Sequence, residues 1–568
     1  MKNLKTQFKL FTQLIFFISF FNIIEAKNLS KFNQEENTFN YLSGITSLNK
    51  DDYEKSYYYF KSLGGLENIH YPYSISFQYS LINLNKFTEA ANYSRKLERK
   101  NLDNFESNLI SAVFYLKAKK HRKAEKYFKK LSIKSQKGTF QELLSSSFNN
   151  WIKFTSTNSL DNSLKMLEKS SERFQNIKNI QEAFLHCYFD SPEVDKAFTE
   201  LTKNRDVDFS RYYFFHSNYF VNKNDRKKAM AILDSSLNLF PRNLILNQLK
   251  EDLKNNKNFY NQFSCKKHAH IVAEIFYITA SALASQGLYT LSNFYLSLAK
   301  YLNPNFISFD TLYAENFYEI SRYEIAENIF NKMKNYGSVF SWYSSKKIAS
   351  ILSEQKKEKE AIKFMNLEFK KIQNATVYQI YDYAAFLKNN EKYEDAIKYY
   401  SNVLKKINKK HSLYAKATDG RGISYERIKQ WKKAEIDFLN SLSVESESAY
   451  VINYLAYSWI EQGKNIEKSL EMLKKANRLR PNDGYIIDSL GWAFFKLKNY
   501  KESKKYLQLA IQLMPSDPIV NDHYADVLWM NGRVIQARYI WNYVLSLEKA
   551  ENKLKEEIEK KILFGLKI

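Results

Sequence analysis

The stretch from Tyr485 to Pro515, YIIDSLGWAFFKLKNYKESKKYLQLAIQLMP, holds two amphipathic segments separated by a polar break at Lys496–Lys501. In each segment the apolar residues recur at three- and four-residue spacing, the period of a helix with one buried face. Gly491 sits midway along the first segment, Ser503 and Ala510 lie in the second, and Pro515 stops it. Two antiparallel helices approach closely only where side chains are small, so the crossing needs a small residue in each helix and large residues in the flanking gaps. The stretch therefore reads as one helical hairpin.

The hairpin recurs along the chain with a period of roughly 34–35 residues. The small position of the first helix is held by Gly44, Ala112, Ala280, Ala314, Ala349, Ala384, Gly422, Ala456, Gly491 and Ala525. Its partner in the second helix is Ser56, Ala124, Ser292, Ala326, Ala361, Ala396, Ala434, Ser469, Ser503 and Ala537. The unit of Ala456 carries one extra turn residue. Four positions beyond the second small residue stand large knobs, among them Phe60, Phe128, Phe438, Leu507 and Trp541. Pro241, Pro304, Pro481 and Pro515 each close a second helix.

Leu490, Gly491, Phe494, Ser503, Leu507, Ala510 and Pro515 follow in order the motif of the tetratricopeptide repeat, and this pattern resembles that family. The motif's opening Trp is replaced by Ile487. The resemblance implies an all-α, right-handed solenoid of about 13–15 stacked helical hairpins. The C-terminal third, with Asn453-Tyr-Leu-Ala-Tyr-Ser-Trp and Asp488-Ser-Leu-Gly-Trp, is similar to exported repeat proteins of alphaproteobacteria, a group with no activity to carry over. The expected organisation is a leader at 1–26, a divergent N-terminal array at 27–242, and an irregular helical connector at 243–272 where the period fails. A C-terminal array at 273–548 and a capping helix at 549–568 follow. A cap is needed because an unstacked terminal repeat leaves its apolar face in water.

Length and composition agree with an extended repeat. A chain of 568 residues exceeds what one core organises, and 13 Gly with 7 Pro are too few for the turns of a sandwich or doubly wound enzyme of this size. The net charge of +25 comes with an even enrichment in Lys, Asn, Ile, Phe and Tyr, which reads as chain-wide bias rather than a nucleic-acid patch. The densest basic cluster, Lys117 to Lys130, spans a helix-to-helix turn and reads as a solvated face, with contact to anionic lipid as the alternative.

Lys2, Lys5 and Lys9 precede an apolar run from Leu10 to Ile24 and then Glu25-Ala26, the pattern of a secretory leader cut after Ala26; an uncleaved anchor is the alternative. The expected location is accordingly exported, in the periplasm of a Gram-negative cell. No Cys stands directly after the leader, so a lipid-anchored form of export is not expected, and Cys187 and Cys265 are too few for a disulfide-dependent fold, so stability is expected from stacking.

No phosphate loop, His-Glu-x-x-His, Cys-x-x-Cys or nucleophile between glycines occurs. Cys265, His268 and His270 do not share one helical face and lack a fourth ligand, so neither a metal nor a cofactor is expected. The resemblance implies peptide binding along an inner stripe of the first helices. In the C-terminal units this stripe gives a candidate groove of Tyr457, Tyr485, Asp488, Trp492, Asp522, Asp526 and Trp529, aromatic with interspersed carboxylates, suited to a ligand with cationic and apolar groups. For Trp492 and Trp529 packing on the neighbouring repeat is the competing reading. Gly422, Ala434, Gly491, Ser503, Ala510, Pro515, Ala525 and Ala537 are expected to be structural. The function read from the sequence is a non-enzymatic scaffold for envelope proteins or peptides, without nucleic acid; the alternative is a peripheral component on anionic lipid.

Overall fold

In a computed structural model that describes residues 34–134, 140–157, 159–168, 175–203, 208–256 and 262–566, every regular element is a helix. The expected leader lies outside these residues. The chain divides into two compact units, Met1–Tyr336 and Gly337–Ile568.

The first unit contains the hairpins α1 (Gln34–Asn49) with α2 (Tyr53–Lys61), α3 (Tyr71–Asn83) with α4 (Phe87–Arg99), α5 (Phe105–Lys117) with α6 (His121–Lys134), and α7 (Phe140–Thr157) with α8 (Leu160–Glu168). Then come α9 (Gln175–Phe189) with α10 (Val194–Lys203), α11 (Tyr212–Asn222) with α12 (Arg226–Leu239), the single helix α13 (Leu244–Lys254), α14 (His268–Ala284) with α15 (Tyr289–Leu302), and α16 (Ser308–Glu319) with α17 (Tyr323–Met333). The second unit pairs α18 (Ser338–Glu354) with α19 (Glu358–Lys370), α20 (Val377–Asn389) with α21 (Tyr393–Lys406), and α22 (Tyr414–Arg427) with α23 (Trp431–Leu442). It continues through α24 (Ala449–Glu461) with α25 (Ile466–Leu479), α26 (Gly484–Lys496) with α27 (Tyr500–Leu513), and α28 (Pro518–Met530) with α29 (Val534–Ser546), and ends in α30 (Asn552–Phe564). Apart from α13 and α14, consecutive helices within each unit pack on one another, as a solenoid requires.

The small positions do what their spacing demands. Ala434, Ala525 and Ala537 are fully buried, as are Ser503 and Ala510, and the knobs Phe60, Phe128, Phe438, Leu507 and Trp541 have no exposure. A Cβ on Gly491 would lie 2.7 Å from Leu507 Cγ and 3.1 Å from the Leu507 backbone nitrogen; one on Gly422 would lie 2.8 Å from Phe438, and one on Gly44 2.5 Å from Phe60. The glycine thus faces the knob four residues past the small residue of the second helix. Knob and glycine interlock, which is why the two are found in register.

The hairpin turns described in full each contain a residue with a left-handed backbone. Asp51, Asn85, Lys119, Asp190, Asn224, Ser321, Lys356, Glu391, Lys429 and Lys498 occupy this position with φ between 53° and 62°, and Gly287, Gly463 and Gly532 serve the same purpose. Asn, Asp and Gly visit this region readily, whereas Lys, Glu and Ser pay for it. The extra residue in the turn after α24 is absorbed by two left-handed residues, Gly463 and Asn465.

In the first unit the α14–α15 hairpin packs on the first helices α3, α5 and α7. Phe294 meets Tyr79 with ring centroids 4.5 Å apart, Tyr301 stacks on Phe87 at 3.9 Å, and Phe276 meets Phe148 at 4.9 Å. Lys117 Nζ reaches the Leu302 carbonyl at 3.3 Å. Just before α11, Arg211 forks onto Glu274 of α14 at 2.7 and 2.8 Å. The inner surface of this array is therefore filled by the chain itself.

The break in the period at 243–272 does not divide the compact units. Asn218 Nδ2 donates to the Phe263 carbonyl and Asn303 Nδ2 to the Gln262 carbonyl, both at 2.9 Å, and Cys265 is disulfide-bonded to Cys187, 78 positions earlier. These ties hold the segment that follows α13 inside the first unit. The sequence reading placed no disulfide in the fold. The bond also removes Cys265 from the Cys265–His268–His270 trio: His270 Nδ1 accepts the Ser264 N–H at 3.1 Å, and burial pushes both histidines down to about 4. The basic cluster at 117–130 is partly spent in the fold as well, with Lys126 and Lys130 both on Glu98.

Candidate binding surface on the first helices of the C-terminal unit

The stripe drawn from the sequence lies on α24, α26 and α28. Tyr485 is exposed and Tyr457 half-buried. The remaining positions are engaged within the chain. Both oxygens of Asp488 lie 3.0 Å from His523 Nδ1. The His523 ring stacks on Trp492 at 3.9 Å, and Trp492 Nε1 donates to Glu461 at 2.8 Å. Burial alone would push the His523 imidazole down, but Asp488 beside it, with Asp522 and Asp526 further off, raises it above its ordinary value.

Asp522 and Asp526 are buried, 7% and 3% exposed, and both accept from Lys561 Nζ of α30 at 2.8–2.9 Å. Trp541 Nε1 donates to the same two carboxylates at 3.1 and 3.2 Å. Burial and the neighbouring Asp522 raise Asp526 to about 6, against the pull of Lys561. Trp529 packs on Trp541 and on the backbone of Gly565, where an added Cβ would lie 2.2 Å from its ring. The expectation that Asp488, Asp522 and Asp526 line an open groove with Trp492 and Trp529 is thereby corrected. Two close carboxylates do need a cation, and the chain supplies it from its own cap. The packing reading holds for both tryptophans.

The same register, followed back through α20 and α22, reaches polar groups that the fold leaves unanswered. Lys388 of α20 and Asp419 of α22 make no hydrogen bond or ion pair among the described residues. Asp419 Oδ1 is buried without a hydrogen-bond partner, and burial raises the carboxyl to about 6 although Lys388 pulls it down. Burial lowers Lys388, partly offset by Asp419. The exposed Arg427 acts on Lys388, and Tyr454, raised by burial, acts on Asp419; Glu426 and Tyr457, both raised by burial, follow around Arg427. A desolvated ammonium and carboxylate of this kind can each take a charge-assisted hydrogen bond from an extended segment, while the tyrosines supply apolar surface. The sequence reading stopped at the three C-terminal units; the signal was present in charged residues at stripe positions of two further first helices.

A tetratricopeptide repeat profile matches residues 487–517, the hairpin α26–α27. The chain thus carries a tetratricopeptide repeat at α26–α27. It is 28% identical over 99 residues to the TPR repeat-containing protein PA4667 of Pseudomonas aeruginosa, a match that spans 17% of each chain. Among solved structures it is similar to the APC/C hetero-tetramer Cut9–Hcn1, at 12% identity over 94% of this chain and 96% of that one with a TM-score of 0.38. It is similar also to YrrB, a TPR protein with an unusual peptide-binding site, at 16% identity over 33% of this chain and 92% of that one with a TM-score of 0.26. The tetratricopeptide repeat fold supports a role in protein–protein interaction, and its members are typically non-enzymatic.

Proposed function

We propose that this repeat protein is an exported, non-enzymatic scaffold of the cell envelope that binds an extended segment of a partner protein along α20, α22 and α24, centred on Lys388, Asp419 and Tyr457. The carrying observation is the contrast within one stripe: the acidic end is neutralised by His523 and Lys561, whereas Lys388 and Asp419 feel each other's charge but make no hydrogen bond or ion pair among the described residues. Such groups are costly unless something binds them.

Export is supported by the N-terminal basic–apolar pattern and by the Cys187–Cys265 disulfide, a bond that persists in oxidising compartments. Among the described residues no helix is long and apolar enough to cross a membrane. The test is capture of displayed envelope-protein segments by the parent and by Lys388→Met with Asp419→Asn. The doubly changed protein is expected to melt no lower than the parent and to lose the captured segment. Equal capture by both would remove this surface from the account.

A further inference from the structure

The outer surface of the last two hairpins carries an apolar stripe that the fold does not require. On α29, Ala537, Trp541 and Val544 face the core with no exposure, while Ile535, Tyr539 and Tyr543 on the opposite side are 84%, 75% and 38% exposed. Counted from the small residue of each second helix, the matching positions of α27 are Lys501, Lys505 and Leu509, with exposed Leu513 four residues on. The exposed apolar residues of α27 and α29 thus share one register on successive second helices. In α21 the same positions are Glu394, Lys398 and Asn402, and in α25 they are Glu467, Glu471 and Lys475, so a solvated face is the ordinary solution there.

The charge around the stripe is mainly basic. Arg538 is the one charged residue of α29, the acid of α27 is Glu502, 3.9 Å from Lys505, and exposed Arg533, Lys501, Lys505 and Lys549 border the patch along with Glu548. Two tyrosines, an isoleucine and two leucines fall well short of the roughly 20–30 residues a side of a stable protein interface. They suit a lipid headgroup layer better: tyrosine places an apolar ring and a polar tip at that depth, and lysine stems lie along apolar surface with the ammonium in water.

We propose that the outer face of α29, with Leu509 and Leu513 of α27 and the lysines beside them, is a peripheral docking surface for an anionic lipid bilayer. This proposal is independent of the stripe around Asp419. It is tested by co-sedimentation of the full chain with phosphatidylglycerol-containing vesicles and with pure phosphatidylcholine vesicles, read as excess binding to the anionic set.

Lys501→Glu with Lys505→Glu is expected to weaken that excess by about tenfold or more. Ile535→Ser with Tyr539→Ser should weaken it comparably, each variant keeping the parental melt. Lys120→Glu with Lys123→Glu, in the other basic cluster, should leave it unchanged. Equal binding by parent and α29 variant, or no preference for anionic vesicles, overturns the proposal. So does a dimer in sedimentation that Tyr539→Ser abolishes while vesicle binding persists, which would assign the stripe to a second copy of the chain.

Discussion

Gly491 meets the backbone nitrogen of Leu507 as well as its side chain, and only the side chain can move aside. Gly491→Ala is therefore expected to cost about 1–3 kcal/mol, as overpacking in a core does, while Gln508→Ala on the exposed side of the neighbouring helix stays within experimental error; denaturant midpoints check both. His523 lies in the same hairpin stack with the opposite kind of dependence. Its folded value is raised, so its contribution is complete below the ordinary 6.5 and is lost as pH climbs through the raised value. Asp526, held at about 6 chiefly by burial, acts in another window, its cost growing between 3.8 and 6. Protection of the 518–530 amides from hydrogen exchange should accordingly decline as pH is raised above neutrality, after correction for intrinsic exchange, and His523→Gln should flatten that decline. At this scale the sequence marked glycines, alanines and knobs correctly because each is a local steric demand. It misread Asp522 and Asp526 because their cation comes from Lys561, more than thirty positions away, and spacing says nothing of such a partner.

Helix α30 is more than a polar lid. Its Lys561 is 18% exposed and answers two buried carboxylates, so Lys561→Met strands both. A loss of about 3–5 kcal/mol is expected, the range for breaking a buried ion pair from one side, with most of it recovered when Asp522→Asn and Asp526→Asn are added. Calorimetry on the three-residue and single variants separates this from simple loss of packing, which the added changes would not restore. The hairpins themselves were legible from periodicity, and so was the irregular turn of the Ala456 unit. The left-handed residues of the turns were legible only where Asn, Asp or Gly holds the position. Lys429 and Lys498 carry no such mark, since there the packed helices impose the conformation on a residue that does not prefer it.

Across the whole molecule, the repeat was readable on both sides of the break at 243–272, but not what fills the inner surface of the first array. The α14–α15 hairpin fills the first array through contacts such as Tyr79–Phe294, which join residues more than two hundred positions apart. The Cys187–Cys265 bond closes a long loop in that unit, and in the chain-entropy account a loop of this size contributes roughly 4 kcal/mol. Cys187→Ser with Cys265→Ser should thus lower the melting transition of the first unit and leave the second unchanged, as hydrogen exchange resolved along the chain will show. The account as a whole stands on the stripe of α20, α22 and α24 being where a partner lies. The most direct measurement is photo-crosslinking in intact cells from a reactive aromatic residue placed at Tyr457, with Asn402 on the outer side of α21 as the control. The account predicts a discrete protein adduct from position 457 that disappears when Lys388→Met and Asp419→Asn are introduced, and none from position 402. An adduct from 402 alone, or one from 457 that persists with both changes present, would contradict it.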